Sequence, residues 1–202
     1  RFRGGRGAGL GAARGRSEQR QILGEIRGAL GLALLEPVQQ RGLGAVRVRR
    51  LDALGIRDHL VEVGGELRGS GMKPDGQPWW IELQRPPAGP QDEAAQTLVA
   101  LHGLSVATSG DYLRHYVWNG ERHSHTLDPR LGQPVANGVA SVSVLHAEAM
   151  HADAWATALT VLGAEEALRL ADREQLAVLL VVRGPDGRLR EHPSAALQAM
   201  AA

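Results

Sequence analysis

The most regular hydrophobic–polar pattern lies between Val139 and Gly163. Val139 to Leu145 (Val-Ala-Ser-Val-Ser-Val-Leu) alternates as a half-buried strand does. Ala149 to Leu159 (Ala-Met-His-Ala-Asp-Ala-Trp-Ala-Thr-Ala-Leu) is then rich in strong helix formers, and Gly163 marks the end of a helix. Other predicted elements surround this strand–helix pair. Ser17 to Leu35 has an N-cap residue at Ser17 and apolar Ile22, Ile26, Leu30 and Leu34 at helical spacing, with Pro37 as the stop. Gln39 to Arg50 is ambiguous, and Leu51 to Ile56 reads as a helix end closed by Gly55. His59 to Val63 is a short strand that Glu66 to Ser70 continues. Lys73-Pro-Asp-Gly is a turn, and Trp79 to Leu83 returns to make a hairpin with one apolar face. Thr97 to Val106 and Tyr112 to Trp118 are strands, the second joined to His123 by an Asn119-Gly120 hairpin turn. Ala164 to Gln175 is an amphipathic helix and Leu176 to Val182 a buried strand. The Pro185-Asp-Gly turn leads to a short strand and a ragged C-terminus. Hairpins with helices segregated between them predict an α+β fold, antiparallel sheets with helices packed on them.

Composition narrows the functional classes. A chain of 202 residues suits one domain, or one domain with an appendage, and can bury a substantial core. With 23 Lys and Arg against 22 Asp and Glu, it does not have the charge of a dedicated nucleic-acid binder. The Arg excess is concentrated in the first fifty residues, and Arg1 to Arg16 reads as a basic Gly/Arg-rich tail or an arm for an anionic surface. The sequence contains no Cys, so disulfides, thiolate metal sites and a thiol nucleophile are excluded. No apolar run is long enough to cross a bilayer, and no signal-peptide segment or lipid-modified Cys is recognisable.

Four stretches carry candidate chemistry. Asp153 and Thr157, four apart on the predicted helix, place a carboxylate and a hydroxyl on one face. That pair suits a hard cation such as magnesium, and equally suits a solvated helix surface. His125, beside the Asp128-Pro129-Arg130 turn, is a candidate general base or a hydrogen-bonding strand residue. His123 is read as facing away from it, which leaves one functional imidazole. Gly64-Gly65 permits close approach of the backbone to a ligand, or forms a bulge or tight turn. Ser109-Gly110-Asp111 is a polar loop that suits a phosphate, or an ordinary turn. Trp155, off the Asp153 face, is read as core.

Four segments occur in order: Glu62-Val-Gly-Gly-Glu-Leu-Arg-Gly-Ser-Gly, Thr108-Ser-Gly-Asp-Tyr, Ser124-His-Thr-Leu-Asp-Pro-Arg-Leu-Gly-Gln-Pro and Ala152-Asp-Ala-Trp-Ala-Thr-Ala-Leu. Together, from about Leu51 to Arg183, they closely resemble the bacterial FAD:protein FMN transferases of the ApbE family. The resemblance implies an α+β, T-fold-related domain over 38–202, incomplete and preceded by the basic leader at 1–37. It also implies magnesium-dependent transfer of FMN from FAD, the substrate, to a Thr or Ser hydroxyl of an acceptor flavoprotein, with release of AMP. It assigns Asp153 and Thr157 to the metal and His125 to the base. Leu127, through its backbone, and Asp128 fall to the FAD-contacting segment. Gly65, Glu66, Ser109, Gly110 and Asp111 are assigned to flavin or phosphate contacts. The implied acceptor is a flavoprotein subunit of a membrane electron-transfer complex, the implied location the periplasmic side of the bacterial inner membrane as a lipoprotein, with a homodimer open. An Ala-Lys-Gly motif expected after Gly44-Ala-Val is absent, with Arg47 nearby, and the family's N-terminal region is not recognisable in Arg1 to Pro37. Two other readings therefore stand beside the transferase: a degenerate flavin-binding homologue, and a pyrophosphatase that splits FAD into FMN and AMP.

Overall fold

Residues 48–87, 96–112 and 114–200 are described by the computed structural model. The leader, its helix at 17–35 and the Gly44-Ala-Val stretch lie outside them. Six strands form one antiparallel sheet in the order β1 (His59–Val63), β2 (Glu66–Ser70), β5 (Leu104–Gly110), β10 (Val139–His146), β11 (Ala177–Arg183) and β12 (Leu189–Pro193). Three two-stranded ribbons accompany it: β3 (Trp79–Glu82) with β4 (Leu98–Leu101), β6 (His115–Trp118) with β7 (Glu121–Ser124), and β8 (Leu127–Asp128) with β9 (Gln133–Pro134). Among the described residues, helical backbone at 48–53 runs into a turn at Leu54-Gly55, as expected of a helix end there, and the later helices are α1 (Ala149–Leu162), α2 (Ala164–Arg173) and the short α3 (Ala195–Met200). The α+β class follows directly from this arrangement.

The chain does not continue straight through Gly64-Gly65. Both residues have positive φ, 67° and 99°, the backbone of a type I′ turn that L side chains resist. β2 therefore folds back on β1, with Val63 opposite Glu66. The two sides of β2 are then taken by β1 and β5, so the expected hairpin of Trp79–Leu83 with Glu66–Ser70 does not form. β3 pairs with β4 instead, Trp79 opposite Leu101. The strand expected over Thr97–Val106 is two strands. They are broken at His102-Gly103, where Gly103 has φ 72°, and the chain passes from the β3–β4 ribbon into the large sheet.

β10 is buried on both faces, not half-buried. Val142 and Val144 join Ala156, Leu159, Leu170 and Leu180 in a core between the sheet and the two longer helices. The opposite face packs Val106, Leu145, Leu179 and Val181 against Leu83, Val99 and Leu101 of the β3–β4 region and against Leu197 of α3. The serines that made the strand look amphipathic lie on this second face. Ser143 Oγ meets Thr108 Oγ1 across the strands at 2.8 Å, which satisfies that hydroxyl, whereas the buried Ser141 Oγ has no hydrogen-bond partner. Up to Met200 the C-terminal segment is helical and packed, in place of the expected ragged terminus. Buried Ser194 donates to the Leu176 carbonyl at 2.7 Å and accepts from the Val178 N–H at 2.9 Å, and its oxygen also caps the start of α3. None of the described helices is long and apolar enough to cross a membrane.

Leu180 is fully buried at the centre of β11, in the helix-side core. Leu180→Ala is expected to cost about 2–5 kcal/mol through lost burial and the cavity left behind. Urea unfolding would register this as a lower midpoint with an unchanged slope.

Candidate functional site

The strand–helix pair fixes the centre of the site. α1 leaves β10 and runs back across the sheet, and its far end is held by side chains rather than by its own cap. Asn137 Nδ2 donates to the Thr160 and Val161 carbonyls, at 2.9 and 3.3 Å, while Asn137 Oδ1 accepts the Val139 N–H at 3.1 Å. The last turn of the helix is thereby tied to the first residue of β10, satisfying carbonyls that would otherwise lack partners. Strand alternation turns Ser109 to the same side as Ala107, which packs in the helix-side core. There Ser109 Oγ and Thr157 Oγ1 lie 3.0 Å apart. Asp153 sits one turn before Thr157 on the half-buried face of α1, and its Oδ2 is shielded from solvent. Glu66 also faces this side, since its neighbour Leu67 packs into the opposite core. The register Leu67 opposite Val106, continued along the strands, brings the Gly64-Gly65 turn level with Thr108 and Ser109.

Gly65, Glu66, Ser109, Asp153 and Thr157 therefore converge on one end of the sheet. Ser109 and Gly110 are the last residues of β5, not a loop, and only Asp111 begins a turn. Gly110 is required at its position: a Cβ there would lie 2.8 Å from the Tyr112 ring and 3.0 Å from the Ala140 carbonyl oxygen. The donors of Ser109, Asp153 and Thr157 are all hard oxygens, which suit a cation such as magnesium that keeps several waters. No cluster of three His, Cys, Asp or Glu side chains with metal-binding spacing occurs among the described residues. A cation at this place would thus rest on one carboxylate with hydroxyls.

His125 follows the β6–β7 ribbon. Its Nδ1 lies 2.7 Å from the Arg114 carbonyl oxygen, and its main-chain N–H reaches the same oxygen at 3.3 Å. A carbonyl can only accept, so Nδ1 carries a hydrogen, and Nε2 is the nitrogen of this exposed ring that offers a lone pair in the neutral form. Residues two apart on a strand share a face, so the expectation that His123 points away from His125 was not a consequence of strand geometry. β7 ends at Ser124, and the two rings have different partners: His123 stacks on Tyr116 at 5.2 Å between centroids. Arg122, which no sequence pattern singled out, donates from Nη2 to the Asp111 carbonyl at 2.5 Å and lies 3.4 Å from its carboxylate.

Leu127 is exposed, and Asp128 beside it is buried. Asp128 accepts from the Arg130 main-chain N–H at 2.9 Å and from its guanidinium at 2.6 Å, while Arg130 also reaches the Val161 carbonyl at the end of α1. The Arg130 side-chain hydrogen bond, opposed by burial, holds the Asp128 carboxyl below its ordinary pKa. A depressed folded-state value means that this stabilisation is present above the unfolded pKa, about 3.9, and is lost as pH falls through the folded one. Asp128→Asn is expected to cost about 1 kcal/mol at pH 7, the half-exposed guanidinium being screened. The gap from the parent should close below about pH 4 when thermal unfolding is followed against pH.

The sheet order, with serine, threonine and aspartate oxygens gathered at one end of β5 and α1, defines an α+β domain. The chain belongs to the ApbE family, whose model matches residues 42–180, beginning upstream of the segment that carries the recognisable motifs. It is 35% identical over 156 residues to the FAD:protein FMN transferase of Haemophilus influenzae, covering 77% of this chain and 45% of that protein. With the Escherichia coli protein of the same name it shares 39% identity over 138 residues, 68% of this chain and 39% of the relative. The apo crystal structure of the Pseudomonas stutzeri flavinyl transferase ApbE superposes with a TM-score of 0.70 at 40% identity, covering 80% of this chain and 49% of that one. Flavin transferase ApbE from Vibrio cholerae gives a TM-score of 0.68 at 34% identity, covering 79% of this chain and 50% of that one. The chain thus spans half or less of the length of these relatives.

Proposed function

We propose that the chain takes part in transfer of FMN from FAD to a Thr or Ser hydroxyl of an acceptor flavoprotein, with release of AMP. The observation that carries this reading is the meeting of Ser109 and Thr157 hydroxyls, 3.0 Å apart and one turn from Asp153. The names of the relatives support the same chemistry. Asp153, Thr157 and Ser109 would hold magnesium, which when bound neutralises charge on the pyrophosphate. The remaining work falls to this chain's own groups. Nε2 of His125 accepts the proton of the attacking hydroxyl, with the ring oriented by its Nδ1–H bond to Arg114. The acceptor oxygen forms a bond to the FMN phosphorus, and the bond from that phosphorus to the oxygen of AMP breaks, AMP carrying away the electron pair. At Gly65 an added Cβ would meet nothing within 4 Å, so the turn leaves the main chain there open for close approach of the ligand.

On this reading the acceptor is a flavoprotein subunit of a membrane electron-transfer complex, and the reaction belongs to the periplasmic side of the bacterial inner membrane. The family resemblance supports both. The test is titration of FAD with and without magnesium, followed by incubation with candidate acceptor flavoproteins and detection of covalently bound flavin in a denaturing gel. Magnesium-dependent binding and acid-stable labelling are expected. Absence of FAD binding by the folded chain would overturn the reading in favour of a degenerate homologue, and AMP release without labelling would turn it into FAD hydrolysis.

A further inference from the structure

Every residue of β6 is exposed, with Tyr116 at 48% and Trp118 at 67%, and no residue of the β6–β7 ribbon belongs to either core. Of its described side chains only Ser124, at the base of β7, is buried, so packing holds the ribbon at its base and leaves its length without a core to orient it. His125 is bonded by both its main chain and its ring to Arg114 at the ribbon's base, so the imidazole moves with the ribbon as one body. Downstream the chain is anchored where the Thr126 carbonyl accepts the Val135 N–H at 2.9 Å and by the Asp128–Arg130 pair. Upstream stands Arg122. It pairs with Val117 in the ribbon register, on the face opposite the Tyr116–His123 stack, and its guanidinium reaches Asp111. Asp111 is two residues beyond Ser109, and its own N–H bonds the Ala140 carbonyl of β10 at 3.1 Å, so it belongs to the rigid end of the sheet.

We propose that Arg122 is a positioning residue: by gripping Asp111 it sets the ribbon, and with it the His125 imidazole, against the Ser109–Thr157–Asp153 cluster. This assignment rests on the transferase reading for its effect on rate. Its effect on the ribbon's geometry stands independently. The contact to the Asp111 carbonyl is the main one, because a main-chain acceptor cannot rotate away, and the carboxylate at 3.4 Å adds a weaker attraction.

The test has two arms, both on the full chain. The natural sequence has no Cys, so Trp118→Cys and Glu165→Cys give a clean pair of nitroxide labels, one at the ribbon tip and one on α2. Pulsed electron paramagnetic resonance is expected to give a narrow distance distribution in this background. Arg122→Met, which keeps the chain length but removes the donors, should broaden it at least twofold, and Arg122→Lys should restore it in large part. An unchanged distribution in Arg122→Met would overturn the proposal whether or not the protein is active. The second arm is a double-mutant cycle on single-turnover flavin labelling. Arg122→Met should slow the step about 10- to 100-fold at saturating FAD, leave the dissociation constant for FAD unchanged, and have less than a twofold effect in a His125→Ala background. An equal loss in both backgrounds, or a loss confined to FAD affinity, would remove the link to the imidazole. Absence of labelling by the parent chain would count against the transferase reading alone, because the distance measurement still decides the role of Arg122.

Discussion

Asp153→Ala is expected to lower FMN transfer by about 10³-fold and to abolish the magnesium dependence of FAD binding. The size of the effect follows from the composition of the site. Ser109 and Thr157 contribute neutral hydroxyls that hydrogen-bond to each other at 3.0 Å, and Asp153 is the nearest carboxylate on the same face of α1. Removing it takes away the one full negative charge that a cation would meet from the helix, and the hydroxyls alone bind magnesium weakly. Stability should change little. Asp153 is half-buried on a helix otherwise secured by Ala152, Ala156 and Leu159 in the core and by Asn137 at its end, and Ala has the higher helix propensity. Thr157→Val supplies the contrast. It preserves the β-branched shape, removes one oxygen donor and strands the Ser109 hydroxyl, so a smaller loss of about tenfold is expected. FAD fluorescence titrated with magnesium on both variants separates the two contributions. Magnesium-dependent binding that survives in Asp153→Ala would place the cation elsewhere and sink this assignment.

Local pattern carried some parts of this fold and could not carry others. α1, its end at Gly163 and the buried β11 were visible, because Ala-rich helical runs and continuous apolar strands are local signals. The Asn119-Gly120 turn was visible because positive φ at two successive positions, 50° and 80° here, selects those residue types. Gly64-Gly65 carries the same signal, yet bulge and tight turn stay equally open there, since nothing local says whether a glycine pair bends a strand or reverses it. The partner of Trp79–Glu82 was equally illegible. Sheet order depends on which strand edges are already taken, and that is decided by β5, more than twenty residues further on. At the site, the spacing of Asp153 and Thr157 placed both on one helix face, and the family resemblance added the roles. The Ser109–Thr157 contact and the Arg122–Asp111 grip join residues 48 and 11 apart in the chain, so no window of sequence contains the reason for them. Asp128 adds a contact that local pattern does not show: both of its oxygens accept hydrogen bonds from Arg130, which gives the carboxylate a fixed partner in the turn.

His125→Ala is expected to reduce labelling of the acceptor by about 10²- to 10⁴-fold while leaving magnesium-dependent FAD binding intact. The separation is the informative part. Asp153, Thr157 and Ser109 are gathered by α1 and β5, whereas His125 is carried by the ribbon, so the two variants should fail in different steps: one in binding, the other in transfer at saturating FAD. The exposed ring and the Nδ1–H bond to Arg114 add a finer expectation. An Nε2 lone pair open to solvent can be replaced from solution, so free imidazole at tens of millimolar should recover part of the transfer rate in His125→Ala, and none in Asp153→Ala. His125→Asn, whose amide can still donate to the Arg114 carbonyl but offers no base, should be as slow as His125→Ala and respond less to imidazole, because its side chain fills the vacated space. AMP formation measured beside labelling tells which hydroxyl needs the base. If both fall together, the imidazole serves the protein acceptor. If AMP release persists in His125→Ala while labelling stops, FAD is being cleaved by water at a site that still holds its pyrophosphate, and the role of His125 is to favour the protein hydroxyl over water. Full labelling activity in His125→Ala would remove the imidazole from the chemistry and leave the oxygen cluster at the end of the sheet as the catalytic element of this chain.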